Sequence, residues 1–400
     1  MSDHQTPFAR RWYAAAGRAV RRITGFFAHR KRTTPPSGET PLPPHRSSRR
    51  QLLGSLGILP LLGLTSSGRK AEADNEVDAL TRPTRIIINS SDSNEYWRLR
   101  KLDLNDPEVA AKQEKMPTGK IGRLTLGRLV SGSNLISMNM HARDLHYVRE
   151  LARAYHSEER IFMTLKKCEE LGCNSIVLKD HNFKQFGLAN YWTEWGGKMA
   201  WLADVITTDI QQYERRLVEH LELGANSAYL WGGASDVWYH QGKQDNIVKA
   251  YEIMRKYDVP VGIGAHRLEP IAFCEREGLE PDYYIKTLHH DRYWSAHPQK
   301  QRRFMEMFEP NSSSHDEYHD NMFCHDHEET VAFMQDVKVP WIAFKVLAAG
   351  AIPPRDGIQY AFDTGADFIC LGMFDFQVEE DARLIRECVA RAKNRKRPWA

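Results

Sequence analysis

From Leu129 onward the chain repeats one pattern: a short apolar run, a polar or glycine-containing turn, then a longer segment of helical periodicity. Runs that are apolar throughout, rather than alternating, suit strands of a parallel sheet whose two faces are both covered. Such runs occupy residues 129–136, 174–179, 199–206, 227–231, 259–265, 282–288, 341–347 and 367–371. Helices are predicted over 158–171, 209–223, 245–257, 269–277, 327–337, 355–364 and 379–392. Gly172, Gly224, Gly278 and Gly365 stand where a helix ends in a left-handed residue. Eight strand-helix units in roughly 270 residues predict the α/β class, a (β/α)8 TIM barrel over residues 119–395. An open doubly wound sheet is the alternative, but no G-x-G-x-x-G follows the first strand. Residues 121–127 alternate like an N-terminal hairpin, and a long polar loop separates the sixth strand from its helix.

Charge divides the chain before this pattern begins. Residues 1–73 carry thirteen basic and three acidic side chains, so without them the formal charge falls from +3 to −7. The basicity therefore belongs to a leader, and no nucleic-acid partner is expected of the folded body. Within the leader, Arg49 and Arg50 precede an apolar run over 52–64, followed by Ala71, Glu72 and Ala73. A run of about thirteen residues is too short to span a bilayer of roughly 30 Å. The arrangement resembles a twin-arginine export signal with a small-residue cleavage site, which implies the twin-arginine translocation machinery as partner and a periplasmic or extracytoplasmic location. Residues 8–32 could form a basic amphipathic helix, 33–50 read as a linker, and 74–118 as a polar lead-in to the barrel. Six cysteines lack metal-ligand spacing and are expected to be core thiols.

Four stretches carry a family resemblance: residues 119–130, 164–174, the Gly-Ile-Gly-Ala-His of 262–266, and 366–372. They resemble the corresponding parts of aldo/keto reductases. The resemblance implies a TIM barrel with a nicotinamide cofactor, NAD(P), held near 350–355 and 372–377. It also implies a catalytic Asp, Tyr, Lys and His. Alignment, however, puts Val177 where the Asp belongs, and the strand ending at Trp231 offers no His.

Ligands of β/α folds gather at the carboxyl ends of the strands. The sixth strand ends on His289, His290 and Asp291, and the seventh contains Lys345. Alternation in the seventh strand suits Ile342, Phe344 and Val346 to the helix side, which turns Ala343 and Lys345 into the barrel. In the sixth, Lys286 shares a face with Tyr284, and His289 with Tyr283, Ile285 and Thr287. A lysine inside a barrel is costly unless paired, with Asp180 or Asp204 for example, or used. Desolvated, it can act as a base or form a Schiff base; charged, it can hold an oxyanion while imidazoles move protons. The catalytic candidates are His266, Lys286, His289 and Lys345. Asp180, His181, His266, His289 and His290 could together hold a divalent metal, Zn, Mn or Fe. Trp231, Tyr293 and Trp294 suit stacking on a sugar. The expectation is an exported enzyme acting on a carbohydrate or related carbonyl compound by acid/base chemistry, with or without metal, as lyase, isomerase or hydrolase. A diverged NAD(P)-dependent oxidoreductase and a non-catalytic sugar-binding barrel are the alternatives.

Overall fold

The computed structural model describes residues 102–142, 145, 147–179, 187–297, 302, 323–392 and 395–400. Helix α1 (Pro107–Glu114) leads into a hairpin of β1 (Thr118–Ile121) and β2 (Leu124–Gly127). The barrel strands follow: β3 (Leu129–Gly132), β4 (Ser175–Lys179), β5 (Ala200–Val205), β6 (Ser227–Leu230), β7 (Val261–Ala265), β8 (Tyr283–Thr287), β9 (Trp341–Phe344) and β10 (Phe368–Gly372). They close in chain order, every neighbour parallel, with β10 beside β3. Each of the eight apolar runs is thus a barrel strand.

The helices of the outer layer are α2 (Tyr147–Tyr155), α3 (Glu158–Glu170), α4 (Leu188–Glu194), α5 (Tyr213–Glu222), α6 (Gly232–His240), α7 (Asp245–Met254), α8 (Glu269–Arg276), α9 (His327–Met334), α10 (Pro354–Asp363) and α11 (Val378–Arg391). Local chemistry explains their limits. Ser157 accepts the backbone N–H of Arg160 and caps α3, and Gly172, at φ 85°, turns the chain out of it. Helix α6 is not visible in the sequence. It opens on two glycines, poor helix formers, and is buried almost all round, so it has no polar stripe to announce it. No helix among the described residues is long and apolar enough to cross a membrane. All six cysteines are free thiols.

Inside the barrel, Val130, Leu202, Tyr229, Tyr283, Ile285, Ile342 and Phe368 pack into one cluster with Ile121 and Leu126 of the hairpin. The hairpin therefore seals the amino-terminal end, where Arg123 also pairs with Asp258 just ahead of β7. Gly262 permits this packing, since a β-carbon there would lie 2.4 Å from the Tyr283 ring and 2.7 Å from Tyr229. The carboxyl-terminal tail closes the same end. Buried Asp367 accepts the N–H of Trp341 at 3.0 Å and that of Ala400 at 3.0 Å, and pairs with Arg395 and Arg397. Trp399 is flanked by the guanidinium groups of Arg128 and Arg395.

The inward set corrects the expected alternation of the seventh strand. Ile342 and Phe344 face the barrel and Ala343 the helices. In β8, Tyr283 and Ile285 point inward, so Lys286 points out beneath the helices.

Candidate active site at the barrel mouth

A cavity of about 650 Å³ opens at the carboxyl ends of the strands. Its wall includes Lys179, Asp204, Tyr229, Trp231, His266 and Lys345, with Gly350, Gly372 and Gln377 from the loops after β9 and β10. A space of this size fits a small organic ligand.

His266 follows β7, and its geometry is set by Asp236 in α6. The buried Asp236 carboxylate accepts the backbone N–H of His266 at 3.1 Å and that of Arg267 at 3.1 Å, and it lies 2.8 Å from His266 Nδ1. An ionised carboxylate only accepts, so Nδ1 carries the proton. Nε2 has no hydrogen-bond partner among the described residues and belongs to a residue on the cavity wall. Burial lowers the pKa of His266; the Asp236 hydrogen bond and charge oppose this, while Lys345 and Lys286 add to it. The result is a neutral imidazole, oriented by a carboxylate, with a basic nitrogen available to the cavity.

Three neighbouring strands place Lys179, Asp204 and Tyr229 in register. Tyr229 is hydrogen-bonded to Asp204, and its hydroxyl is pushed well above the ordinary phenol range, first by burial and then by the Asp204 charge. It is thus a proton donor at the bottom of the cavity rather than a phenolate.

Lys345 reaches the cavity by a route that alternation does not describe. It stands one residue beyond β9 on the helix-facing parity, but its φ of 60° turns the chain and brings the side chain to the cavity wall. Its ammonium lies 2.6 Å from His141 Nε2 and 3.9 Å from the centre of the Phe323 ring.

The other residues singled out in the sequence lie elsewhere. Lys286 is buried on the outer face of β8, where its ammonium donates to the Thr287 carbonyl at 2.8 Å and to its hydroxyl at 3.0 Å. His289 is fully buried. Its Nδ1 donates to the His290 carbonyl at 2.9 Å, and its Nε2 accepts the N–H groups of Phe323 and Cys324, each at 3.0 Å. Both ring nitrogens are committed to backbone, and burial holds the pKa down at about 3. His290 Nδ1 accepts the N–H of Arg292 at 3.2 Å, and its Nε2 faces Asp356 at 3.4 Å. Tyr293 packs edge-on against His289, while Trp294 is 81% exposed; neither is on the cavity wall. Asp180 and His181 lie outside the described residues. Among the described residues no group of three or more His, Cys, Asp or Glu could hold a metal ion.

The sequence thus points to His266, Lys345 and Trp231 but misses Tyr229, Asp236 and His141. One signal for Tyr229 was present, because Ser227, Tyr229 and Trp231 share a face of an otherwise apolar strand.

The fold and site define a class, the (β/α)8 barrels with a cavity of mixed polar and apolar lining at the carboxyl mouth. No family model matches the chain, and no curated protein matches it. Among solved structures it is similar to a candidate aldo-keto reductase from Pseudomonas aeruginosa, at 12% identity and a TM-score of 0.46, over 68% of this chain and 94% of that one. It is also similar to a candidate dihydrodipicolinate synthetase from the same species, at 11% identity and a TM-score of 0.34, over 66% of this chain and 80% of that one.

Proposed function

We propose that the chain is an enzyme that moves protons on a small carbonyl compound of the carbohydrate type, as an isomerase, lyase or hydrolase. The observation that carries this reading is the Asp236–His266 pair. Asp236 fixes the Nδ1–H tautomer, and burial keeps the ring neutral, so Nε2 is a ready acceptor for a proton from a carbon next to a carbonyl. Charge that develops on the carbonyl oxygen is met by Lys345 or by the Tyr229 hydroxyl, which line the same cavity. Trp231 supplies an apolar wall for the face of a sugar ring. Export by the twin-arginine route, to the periplasm or beyond, belongs to this proposal and rests on Arg49, Arg50 and the apolar run after them.

A second reading, NAD(P)-dependent oxidoreduction, is favoured by one observation. Gly350, Gly372, Phe374 and Gln377, from the two segments expected to hold the nicotinamide cofactor, line the same cavity as Lys179, Asp204 and Tyr229. The cofactor would supply hydride transfer; Tyr229 would then hold the proton for the carbonyl oxygen.

The test is exchange of carbon-bound hydrogen for deuterium in D2O, followed by NMR over a panel of aldoses, ketoses, sugar acids and sugar phosphates. Exchange that falls by 10²-fold or more in His266→Gln is the expected result. No exchange with any member, or exchange indifferent to His266→Gln, refutes the isomerase and lyase forms of the proposal; the hydrolase form is refuted if no glycoside or ester of the same panel is cleaved. NADPH fluorescence that shifts on adding protein would support the second reading instead.

A further inference from the structure

Strands β3 and β7 stand four places apart in the closed ring of eight, as do β10 and β6, so each pair faces across the barrel. The cavity wall divides along the same line. Tyr229 and His266 belong to the β6–β7 side, with Lys179 and Asp204 on β4 and β5 next to it. Across from them stand Leu135, Met140, Leu145 and Val148, from the stretch between β3 and α2 and from α2 itself, with Leu371 and Phe374 from β10 and the loop after it. Three polar side chains on this second side are already engaged. Asn139 donates to the Ser137 hydroxyl at 3.3 Å, Gln377 accepts the N–H of Phe374 at 3.0 Å, and His141 meets Lys345.

The apolar side does not stop at the mouth. Four large apolar side chains are exposed among the described residues, Tyr147, Leu151, Trp294 and Phe376, and three of them continue this wall. Val148, Leu151 and Tyr155 fall on one face of α2 at helical spacing, with Tyr147 at its edge. Tyr155 meets Phe374 and Phe376 edge-on, at 5.4 and 6.0 Å between ring centres, and those two rings are stacked 8° from parallel at 5.4 Å. Phe374 is on the cavity wall and Phe376 is 54% exposed, so the stack leads from inside to outside. The rim is also fastened. The Tyr155 hydroxyl donates to the buried Asp375 carboxylate, and the Arg160 guanidinium lies 4.4 Å from the centre of the Tyr155 ring. This holds Phe376 out in water against Tyr155, one helical turn from Leu151. Apolar side chains kept exposed in continuity with a cavity mark a place where a ligand lies.

We propose that the ligand of this cavity is amphipathic: a sugar-type carbonyl head at His266 and an apolar aglycone, alkyl or aryl, that passes over Phe374 and lies on Phe376 and Leu151. The head rests on the acid/base reading of the same cavity; the apolar track does not. The probes are glucose and hexyl, octyl and phenyl β-D-glucoside, titrated calorimetrically into the protein below the micelle concentration. Octyl glucoside binds more tightly than hexyl, by about two- to fourfold for each added methylene, and glucose binds most weakly. Phe376→Ser combined with Leu151→Ser, both at exposed positions, removes most of that gain. Phenyl glucoside bound more tightly than hexyl assigns an aryl aglycone, and the reverse an alkyl one. His266→Gln keeps the series and loses deuterium exchange; if the unaltered chain shows the series but exchanges no sugar, the acid/base reading fails while the track stands. A measurement on the unaltered chain covers the case in which the double variant does not fold: octyl glucoside with a diazirine at the chain end, activated by light, labels residues 147–155 or 374–376 in mass spectrometry. Affinity indifferent to chain length, a gain that survives both substitutions, or label confined to other segments overturns the track. So does a dimer that the same substitutions dissociate in analytical ultracentrifugation, which would assign this face to a second copy of the chain.

Discussion

Replacing His289 by glutamine separates a scaffold histidine from a catalytic one. The ring bridges three backbone groups, donating to the His290 carbonyl and accepting from Phe323 and Cys324. Burial holds its pKa at about 3, against about 6.5 in an unfolded chain. The unfolded chain therefore binds a proton sooner, and this group's contribution to stability is lost as pH falls from 6.5 towards 3. With these two values, linkage gives a loss of about 2 kcal/mol between pH 7 and pH 5, and about 4–5 kcal/mol by pH 3. Glutamine does not titrate. At pH 7 it also serves the three backbone groups less well, at a cost of about 1–3 kcal/mol. Urea unfolding followed by tryptophan fluorescence, at pH 7 and pH 5 on both proteins, reads the difference. The unaltered chain should lose about 2 kcal/mol more than His289→Gln over that interval, since the other titrating groups are common to both. Equal losses would refute the buried neutral bridge and return His289 to the list of proton-transfer candidates.

Asp236→Asn presents an amide N–H where His266 Nδ1 now donates, so the proton must move to Nε2 and the basic nitrogen is lost. Deuterium exchange should fall on the order of 10²–10⁴-fold with the fold retained, and nitrogen NMR of the imidazole should report the changed tautomer; an unchanged tautomer rejects the assignment. Glu169→Gln concerns the outer layer, where buried Glu169 accepts the Tyr191 hydroxyl and the Lys198 N–H. Burial raises its pKa to about 7, so the folded state favours the neutral acid and loses stability as pH rises from 4.5 through 7. Relative to the unaltered chain, Glu169→Gln should gain about 2 kcal/mol between pH 5 and pH 8 in thermal or urea unfolding; no gain would show that Glu169 ionises normally.

The barrel was legible because its signals are redundant. Eight apolar runs, seven helical segments and left-handed glycines such as Gly172 and Gly365 all agree on the same order of elements, and any one could be misread without changing the fold. The elements that escaped lack such agreement. Helix α6 begins on Gly232 and Gly233 and is buried almost all round. Helix α1 is short, and its signals are one capping aspartate, Asp106, and the proline after it. The seventh run was read as ending at residue 347, but the strand stops at Phe344, because a lysine at φ 60° cannot extend a sheet. A glycine at that position would have warned of the turn; a lysine gives no warning.

The site was less legible, for a reason that the histidines make plain. Their density after the sixth strand was the strongest chemical signal in the sequence. Yet His289 is spent on the backbone of Phe323 and Cys324, and His327 joins Asp291 to Tyr360. An imidazole has a donor on one side and an acceptor on the other, so it can fasten a returning segment to the end of a strand, and in that use no nitrogen is left for chemistry. His266, on the cavity wall, has a nitrogen to spare. It comes from a stretch with no such density, and the side chain that makes it useful, Asp236, lies thirty residues earlier on a helix that the sequence hides. Under the proposed function, what matters is which ring atom remains unused, and that depends on contacts between distant segments rather than on residue type or spacing.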